Sequence, residues 1–203
     1  IINKIKNTKP SQIVGFVGDL VDLESMYIFK EFFNKSLNST NLEFRNKKRY
    51  LNPNERMNYL FNSTINGIEE ADLILMIGTN PRHEATILNA RIRKSYVKNK
   101  MKIYSIGEAG ELTYPYEIIG HDTSVIKDII EGSHDISLKI KNSKKPLILI
   151  GESVLNSNAG EYIFESIKNF LTQSNKINYE WNSFNILNQK ASNVGAIDLG
   201  LYK

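Results

Sequence analysis

The best candidate for chemistry in this sequence is a short turn after an apolar run. Residues 73–77 are consecutively apolar, as expected of a buried strand in a parallel sheet. Gly78 permits a tight turn, and Asn80 followed by Pro81 favours the start of a helix, because Asn caps well and Pro suits the first helical position. Ligands in α/β folds bind at such strand-to-helix turns. Gly78, Asn80 and Pro81 are therefore the candidate binding residues.

Two other turns come close to known motifs without matching them. Gly15 and Gly18 lack the G-x-G-x-x-G spacing that brings the backbone close to a pyrophosphate, so two glycines at a strand end is the better interpretation. Ser153 follows an apolar run but lacks the second glycine of a G-x-S-x-G elbow. We expect Ser153 to form a local hydrogen bond instead.

The sequence gives little support for a metal site or for acid–base catalysis. His83, His121 and His134 do not have metal-ligand spacing. The sequence contains no cysteine, which excludes thiol catalysis and Cys-ligated iron–sulfur clusters within it. The acidic residues at 69–72 are expected to form a solvated loop. We predict no catalytic residue and no metal site.

An alternation of strands and helices positions these residues. Strands are predicted over 13–17, 42–44, 71–77, 102–106 and 147–150, and helices over 22–37, 83–98, 123–131, 160–172 and 183–194. A short helix carrying Ile136 and Ile140 is predicted to be capped by Ser133, and residues 45–67 to be largely irregular. The order predicts an α/β fold with a Rossmann-like, mostly parallel sheet and helices on both faces, including strands 13–17, 71–77 and 102–106.

A polar joint near residues 141–145 suggests a division into two lobes. Residues 1–140 are predicted to form a Rossmann-like α/β lobe. Residues 141–203 would begin a second α/β lobe with an incomplete sheet. The length of 203 residues accommodates this division.

The net charge of +4 is too mild to indicate nucleic-acid binding. Basic residues concentrate at 47–49 and 91–102, and Arg91, Arg93, Lys94 and Lys98 would share one helix side. That side is either a solvated face or a contact with an acidic neighbouring subunit. Trp181 indicates either a partner surface or burial. No apolar run approaches the roughly 20 residues of a membrane helix, so we expect no direct membrane insertion.

The motif residues also carry a family resemblance. Gly78-Thr-Asn-Pro-Arg82 followed by Asn89-Ala-Arg-Ile-Arg-Lys94 resembles the large iron–sulfur subunits of respiratory complex I, the NADH–quinone oxidoreductases, known in mitochondria as the 75 kDa subunit. Further matching stretches follow in the expected order at 58–72, 112–114, 132–134, 144–146, 185–187 and 196–200. The resemblance covers nearly the whole chain and weakens before about residue 55.

The resemblance implies a formate-dehydrogenase-like domain without its cofactor. In the related molybdopterin oxidoreductases a Gly-x-Asn-Pro turn contacts the guanine dinucleotide of the molybdenum cofactor, and a His-Pro pair follows. Here His83 has no proline after it, and no cysteine is available to bind molybdenum. The complex I family generally keeps the domain's shape and has lost the cofactor. Gly78, Asn80 and Pro81 are therefore expected to be vestigial, with no cofactor in this segment.

The implied role is that of a non-catalytic scaffold segment supporting electron transfer from NADH to quinone. The iron–sulfur clusters would lie in a Cys-rich N-terminal part of the full subunit, and the start at Ile1 without Met suggests a piece of it. The expected partners are other subunits of the NADH dehydrogenase module, peripheral to the inner membrane on the cytoplasmic side in bacteria or the matrix side in mitochondria. The alternatives are a fragment of an active molybdopterin-dependent oxidoreductase and a stand-alone α/β small-molecule-binding domain.

Overall fold

The computed structural model describes residues 1–44 and 50–202, so the basic run at 47–49 lies outside the described residues. The strands in these ranges are β1 (Gly15–Val17), β2 (Leu42–Phe44), β3 (Leu73–Ile77), β4 (Lys102–Ile106), β5 (Glu117–Gly120), β6 (Pro146–Gly151) and β7 (Phe184–Leu187). The α-helices are α1 (Ile2–Lys6), α2 (Leu23–Glu31), α3 (Pro81–Glu84), α4 (Thr86–Asn99), α5 (Ser124–Glu131), α6 (Asp135–Asn142), α7 (Glu152–Leu155), α8 (Gly160–Gln173) and α9 (Ser192–Asp198). The described chain forms two compact units, a smaller one of residues 1–44 and 190–202 and a larger one of residues 50–189.

The larger unit contains a five-stranded parallel sheet in the order β5-β4-β3-β6-β7. On one face, Leu75 and Ile148 pack with apolar residues of α5, α6 and α8. On the other face, Ile74 and Leu149 pack with residues of α4. Because successive side chains of a strand point to opposite faces, the continuous apolar run of β3 serves both layers. The predicted α/β fold with helices on both faces of a parallel sheet is confirmed.

The strand predicted at 13–17 forms, but not in this sheet. β1 pairs in parallel with β2 in a separate two-stranded sheet of the smaller unit, with Gly15 opposite Leu42. Its inward residue Val17 packs with Met26 and Phe44 in a core of that unit. The prediction that β1 joins the main sheet was therefore wrong. β-α-β order fixes strand direction, whereas the choice of partner depends on contacts distant in the sequence.

The boundary expected between residues 140 and 141 falls inside the larger unit, within helix α6. β6 pairs along its length with β3, with Ile148 opposite Leu75. The strands before and after residue 140 therefore belong to one sheet. The chain returns to the smaller unit only at Lys190.

The helix predicted over 183–194 was wrong. Phe184–Leu187 is a fully buried strand at the edge of the sheet, and a separate helix, α9, begins at Ser192. The three-residue spacing of Phe184 and Leu187 suits a helix, but the polar residue between them, Asn185, is also buried. Its amide donates to Ser63 Oγ (2.9 Å) and its Oδ1 accepts the Ser63 N–H (2.8 Å), so a polar residue lies in the core with its hydrogen bonds satisfied.

In the acidic stretch at 69–72, Glu70 and Asp72 are exposed, as predicted, but the stretch is also bound to neighbouring segments. Asp72 accepts hydrogen bonds from the N–H groups of Lys144 (2.7 Å) and Lys145 (3.1 Å) and from Ser143 Oγ. Burial opposes ionisation of Asp72, but these hydrogen bonds outweigh it and hold the pKa of Asp72 below its usual value. Asp72 thus ties the start of β3 to the turn before β6.

The Asp72→Asn variant is expected to have a lower melting temperature at neutral pH. Because the folded-state pKa is depressed, the carboxylate stabilises the fold above its unfolded pKa of about 3.9. This contribution is lost as the pH falls through the folded pKa. Thermal unfolding at pH 7 and at about pH 3 should show the difference between the variant and the wild-type chain narrowing in acid. An equal difference at both pH values would contradict this account.

Candidate functional site

The predicted turn lies where ligands bind in open α/β sheets. From β3 the chain adds β4 and β5 on one side of the sheet, and then β6 and β7 on the other. The carboxyl ends of β3 and β6 therefore flank a topological switch point, the usual location of a ligand crevice. The turn beginning at Gly78 follows β3, and the turn at Gly151 ends β6.

The crevice between these two turns is filled by the chain itself. Gly78 has a φ of +56°, and a Cβ added to it would lie 2.1 Å from Val154 Cγ2. A Cβ added to Gly151 would lie 2.3 Å from the carbonyl oxygen of Gly78. Ser153 Oγ donates a hydrogen bond to the same carbonyl oxygen. Residues 151–154 thus pack directly against the turn where a ligand would enter.

Asn80 caps a helix, as predicted, but that helix is short. The N–H of His83 donates to Asn80 Oδ1 (3.3 Å), and Pro81 is the first residue of α3. The predicted helix over 83–98 was wrong in its continuity, because Ala85 (φ −153°, ψ 72°) separates α3 from α4. After this break, α4 carries the buried residue Asn89. The Asn89 amide donates to the carbonyl of Leu112 (3.2 Å), and its Oδ1 accepts the hydroxyl of Tyr114 (2.7 Å).

Glu84, which the sequence analysis did not single out, supplies an anion to the turn. Its carboxylate accepts the backbone N–H of Asn80 (2.7 Å) and the hydroxyl of Thr79 (3.1 Å). The arrangement is similar to a capping box, with the acidic residue four positions after the cap instead of three. The spacing Asn80-x-x-x-Glu84 was the one sequence feature that could have indicated this role of Glu84. The donors that a phosphate would use are engaged by a carboxylate that would repel it.

These contacts test whether the turn fits the guanine dinucleotide of a molybdenum cofactor. The crevice is filled by Ser153 and Val154, Glu84 is hydrogen-bonded to the turn, and the side-chain oxygen of Asn80 caps α3. A bulky polyanion would have to displace side chains and meet a negative charge. The residues present do not fit the group in this arrangement.

Asn80→Ala is expected to lower the free energy of unfolding by about 1 kcal/mol, the usual cost of losing an N-cap. The variant would lose the hydrogen bond that Asn80 Oδ1 accepts from the His83 N–H, and with it the ordered start of α3. Urea unfolding of the chain measures the effect, with Asn158→Ala at an exposed asparagine as the control. Equal stability of the two variants would show that the cap is dispensable.

His134 has a structural role, whereas His83 and His121 are exposed. Nδ1 of His134 accepts the N–H of Ile136 (3.2 Å), so His134 caps α6. The cap predicted at Ser133 was wrong, because the Ser133 hydroxyl donates backwards to the carbonyl of Asp128 (3.2 Å). Among residues 1–44 and 50–202, no group of three or more His, Asp or Glu side chains could hold a metal ion.

The remaining sequence candidates also have structural roles. Gly15 lies against Phe33, whose Cζ would be 2.5 Å from an added Cβ, so packing explains this glycine. Ser153 bonds to Gly78 instead of to a sequence neighbour, so the predicted local bond was wrong. Trp181 is buried, and its indole N–H donates to the carbonyl of Pro146 (2.7 Å). Burial is therefore the correct alternative for Trp181.

The basic side predicted on helix 83–98 is partly neutralised. Glu69 Oε1 lies 2.8 Å from Arg91 Nη1 and 2.9 Å from Lys94 Nζ. The hydrogen bond from Lys94 is the main cause that lowers the pKa of Glu69. The docking role predicted for this helix side therefore loses the support of Arg91 and Lys94, which are already paired within the chain.

The chain is similar to proteins that are named as oxidoreductases. A family model described as molybdopterin oxidoreductase matches residues 1–203. The chain is 41% identical to the NADH-ubiquinone oxidoreductase 75 kDa subunit of Reclinomonas americana, over 98% of the chain and 30% of that relative. It is 36% identical to an NADH-quinone oxidoreductase subunit of Rickettsia bellii, over 98% of the chain and 29% of the relative. It is also 36% identical to the mitochondrial NADH dehydrogenase [ubiquinone] iron-sulfur protein 1 of Solanum tuberosum, over 95% of the chain and 26% of the relative. The chain therefore spans 30% or less of the length of these curated relatives.

Proposed function

The chain belongs to the molybdopterin oxidoreductase family, and from that premise we propose that it is a non-catalytic scaffold segment of the large iron–sulfur subunit of an NADH–quinone oxidoreductase. The observation that carries the proposal is the closed turn at the switch point. Gly78 is in contact range of Ser153 and Val154, and Glu84 binds the donors of the turn. The family's cofactor crevice is thus used here for packing.

Similarity to named relatives supports the choice of complex. Two relatives, one named as an NADH-quinone oxidoreductase subunit and one as the NADH-ubiquinone oxidoreductase 75 kDa subunit, match along nearly the whole chain at 36% and 41% identity. In the proposed role the complex carries electrons from NADH to quinone through iron–sulfur clusters in other parts of the subunit. The segment supplies a rigid α/β body, whose parallel sheet is covered on both faces.

The proposed partners are the other subunits of the NADH dehydrogenase module. The complex would lie peripheral to the inner membrane, on the cytoplasmic side in bacteria or the matrix side in mitochondria. Across residues 1–44 and 50–202, we find no helix with the length and apolar character needed to cross a membrane.

The proposal predicts that damage to the turn lowers the amount of assembled complex without slowing electron transfer in the complex that does assemble. Gly78→Val in the full-length tagged subunit places a β-branched residue at positive φ and against Val154. We expect less complex to co-purify with the tag, with an unchanged rate of NADH-to-quinone electron transfer per assembled complex. Gly107→Ala, at a strand end with a positive φ of +84° but no atom within 4 Å of the added Cβ, is the comparison that separates backbone strain from the contact with Val154. Normal assembly with a lost rate per complex would overturn the scaffold role and favour a cofactor at the turn.

A further inference from the structure

A row of lysines lies at the end of the main sheet where its strands begin. This is the end opposite the one that carries the Gly78 turn. We define this lysine rim as Lys100, Lys102, Lys139, Lys141, Lys144 and Lys145. Its members lie where α4 leads into β4 and where α6 leads into β6. Lys145 is half-buried, and the other five are exposed.

Aromatic rings hold four of these lysines in place. The Nζ-to-ring-centroid distances are 5.3 Å for Lys100 over Tyr96, 4.9 Å for Lys139 over Tyr104, 5.6 Å for Lys141 over Phe170 and 5.3 Å for Lys145 over Trp181. Such contacts orient an ammonium group and cover its aliphatic stem while leaving the charge in reach of solvent. The rim is thus better ordered than a set of freely rotating surface lysines.

Few carboxylates offset this charge. Glu70 pairs with Lys145, and Asp72 is engaged by the backbone of residues 144–145. Glu117 lines a groove beside Lys100 and Lys102. Within the part of the chain that the structure describes, the rim lysines other than Lys145 form no ion pair. The rim therefore keeps an excess of positive charge.

Two open grooves divide the rim on either side of β4. One, of about 290 Å³, lies between the starts of β4 and β5. The other, of about 460 Å³, is bounded by Leu138 and Lys139 of α6 and by Asp72. Lys102 and Tyr104 line both grooves. The surface is thus corrugated as well as charged, which suits insertion of acidic side chains from a partner.

Helix dipoles explain only part of the rim. Lysines near helix C-termini complement the partial negative charge there, which accounts for Lys139 and Lys141 in the last turn of α6. Lys102 begins a strand, and Lys144 and Lys145 lie in a turn. β4 and β6 are separated by one strand. At the usual strand spacing, the backbones of Lys102 and Lys145 therefore lie about 10 Å apart. A charged strip of this width is larger than a single small anion needs.

The buried rings also argue against nucleic acid as the partner. Tyr104, Phe170 and Trp181 are each less than 10% exposed, so they offer no free faces for base stacking. We infer that the lysine rim docks an acidic surface of a neighbouring protein subunit in the assembled oxidoreductase, an inference that rests on the proposed function. Charges at such a rim mainly raise the association rate and make the contact sensitive to salt.

Zero-length carbodiimide cross-linking of the purified complex tests the contact directly. The reagent joins a lysine amine to a carboxylate in ion-pair range, and mass spectrometry identifies both residues. Lys102 and Lys139 are expected to be joined to Asp or Glu of another subunit. Lys127, which lies 3.8 Å from Glu131 on the same helix, should cross-link only within the chain. Rim lysines without any intersubunit product would overturn the inference.

Charge reversal gives a second, independent test. Lys102→Glu combined with Lys139→Glu in the full-length subunit should reduce the amount of salt-stable complex about tenfold, equivalent to about 1.4 kcal/mol. Lys127→Glu is the matched control. If the tagged wild-type subunit does not co-purify with the oxidoreductase, the proposed function fails. If it does and the double variant resists salt as the wild type does, only the docking role of the rim fails.

Discussion

Replacing Gly151 by alanine is expected to lower the free energy of unfolding of the larger unit by about 3 kcal/mol or more, the upper range for overpacking. The backbone of Gly151 (φ −85°, ψ 159°) suits alanine, so conformational strain is not the cause. The added Cβ would lie 2.3 Å from the carbonyl oxygen of Gly78 and 2.8 Å from Thr79 Cβ. Backbone atoms cannot rotate away as a side chain can, so β3 and β6 would have to separate at their carboxyl ends.

Urea unfolding of the Gly151→Ala chain measures this effect, and Gly107→Ala is the comparison for an added Cβ that meets no atom. Gly107 also follows a strand at the same edge, and no atom lies within 4 Å of its added Cβ. Its positive φ of +84° alone should cost about 1–2 kcal/mol. If both variants lost the same small amount, the turns of β3 and β6 would not be as closely packed as described.

Phe164→Ala is expected to cost about 3–5 kcal/mol, because it removes a large ring from the core of the larger unit. Phe164 is fully buried, and its ring contacts Phe184 edge to face with centroids 5.0 Å apart. It also packs against Tyr50 at 5.3 Å. The cavity would thus open between α8 and the edge strand β7.

Tyr162→Ala on the same helix provides the control for this variant. Its side chain is 46% exposed, so the expected change is within about 1 kcal/mol. Thermal unfolding of both variants would separate core packing from a general effect of alanine on α8. Comparable losses would indicate that Phe164 is not part of the core.

The elements predicted from the sequence were those fixed by local chemistry. Asp22 caps α2 by accepting the N–H of Ser25 (2.8 Å), Gly132 ends α5 at positive φ, and the apolar run of β3 is a central strand. Each depends on residues within one or two turns of the chain. Helix α8, predicted over 160–172 and observed over Gly160–Gln173, has the same origin in a regular apolar spacing.

The sequence did not reveal features that depend on distant contacts. The pairing of β1 with β2 and the identity of β7 as a strand were both decided by such packing. Within the candidate site, the cap at Asn80 and the positive φ of Gly78 could be anticipated from residue types. The filling of the crevice by Ser153 and Val154 could not, because they lie more than 70 residues further along the chain.

Elemental analysis of the purified oxidoreductase for molybdenum and tungsten tests the central claim most directly. A molybdopterin-dependent formate dehydrogenase measured in parallel would establish the response expected of an intact cofactor. With the turn closed by Ser153, Val154 and Glu84, we predict far less than one atom of either metal per complex. Stoichiometric molybdenum or tungsten that is lost in the Gly78→Val variant would contradict the account and place a functional cofactor at the turn.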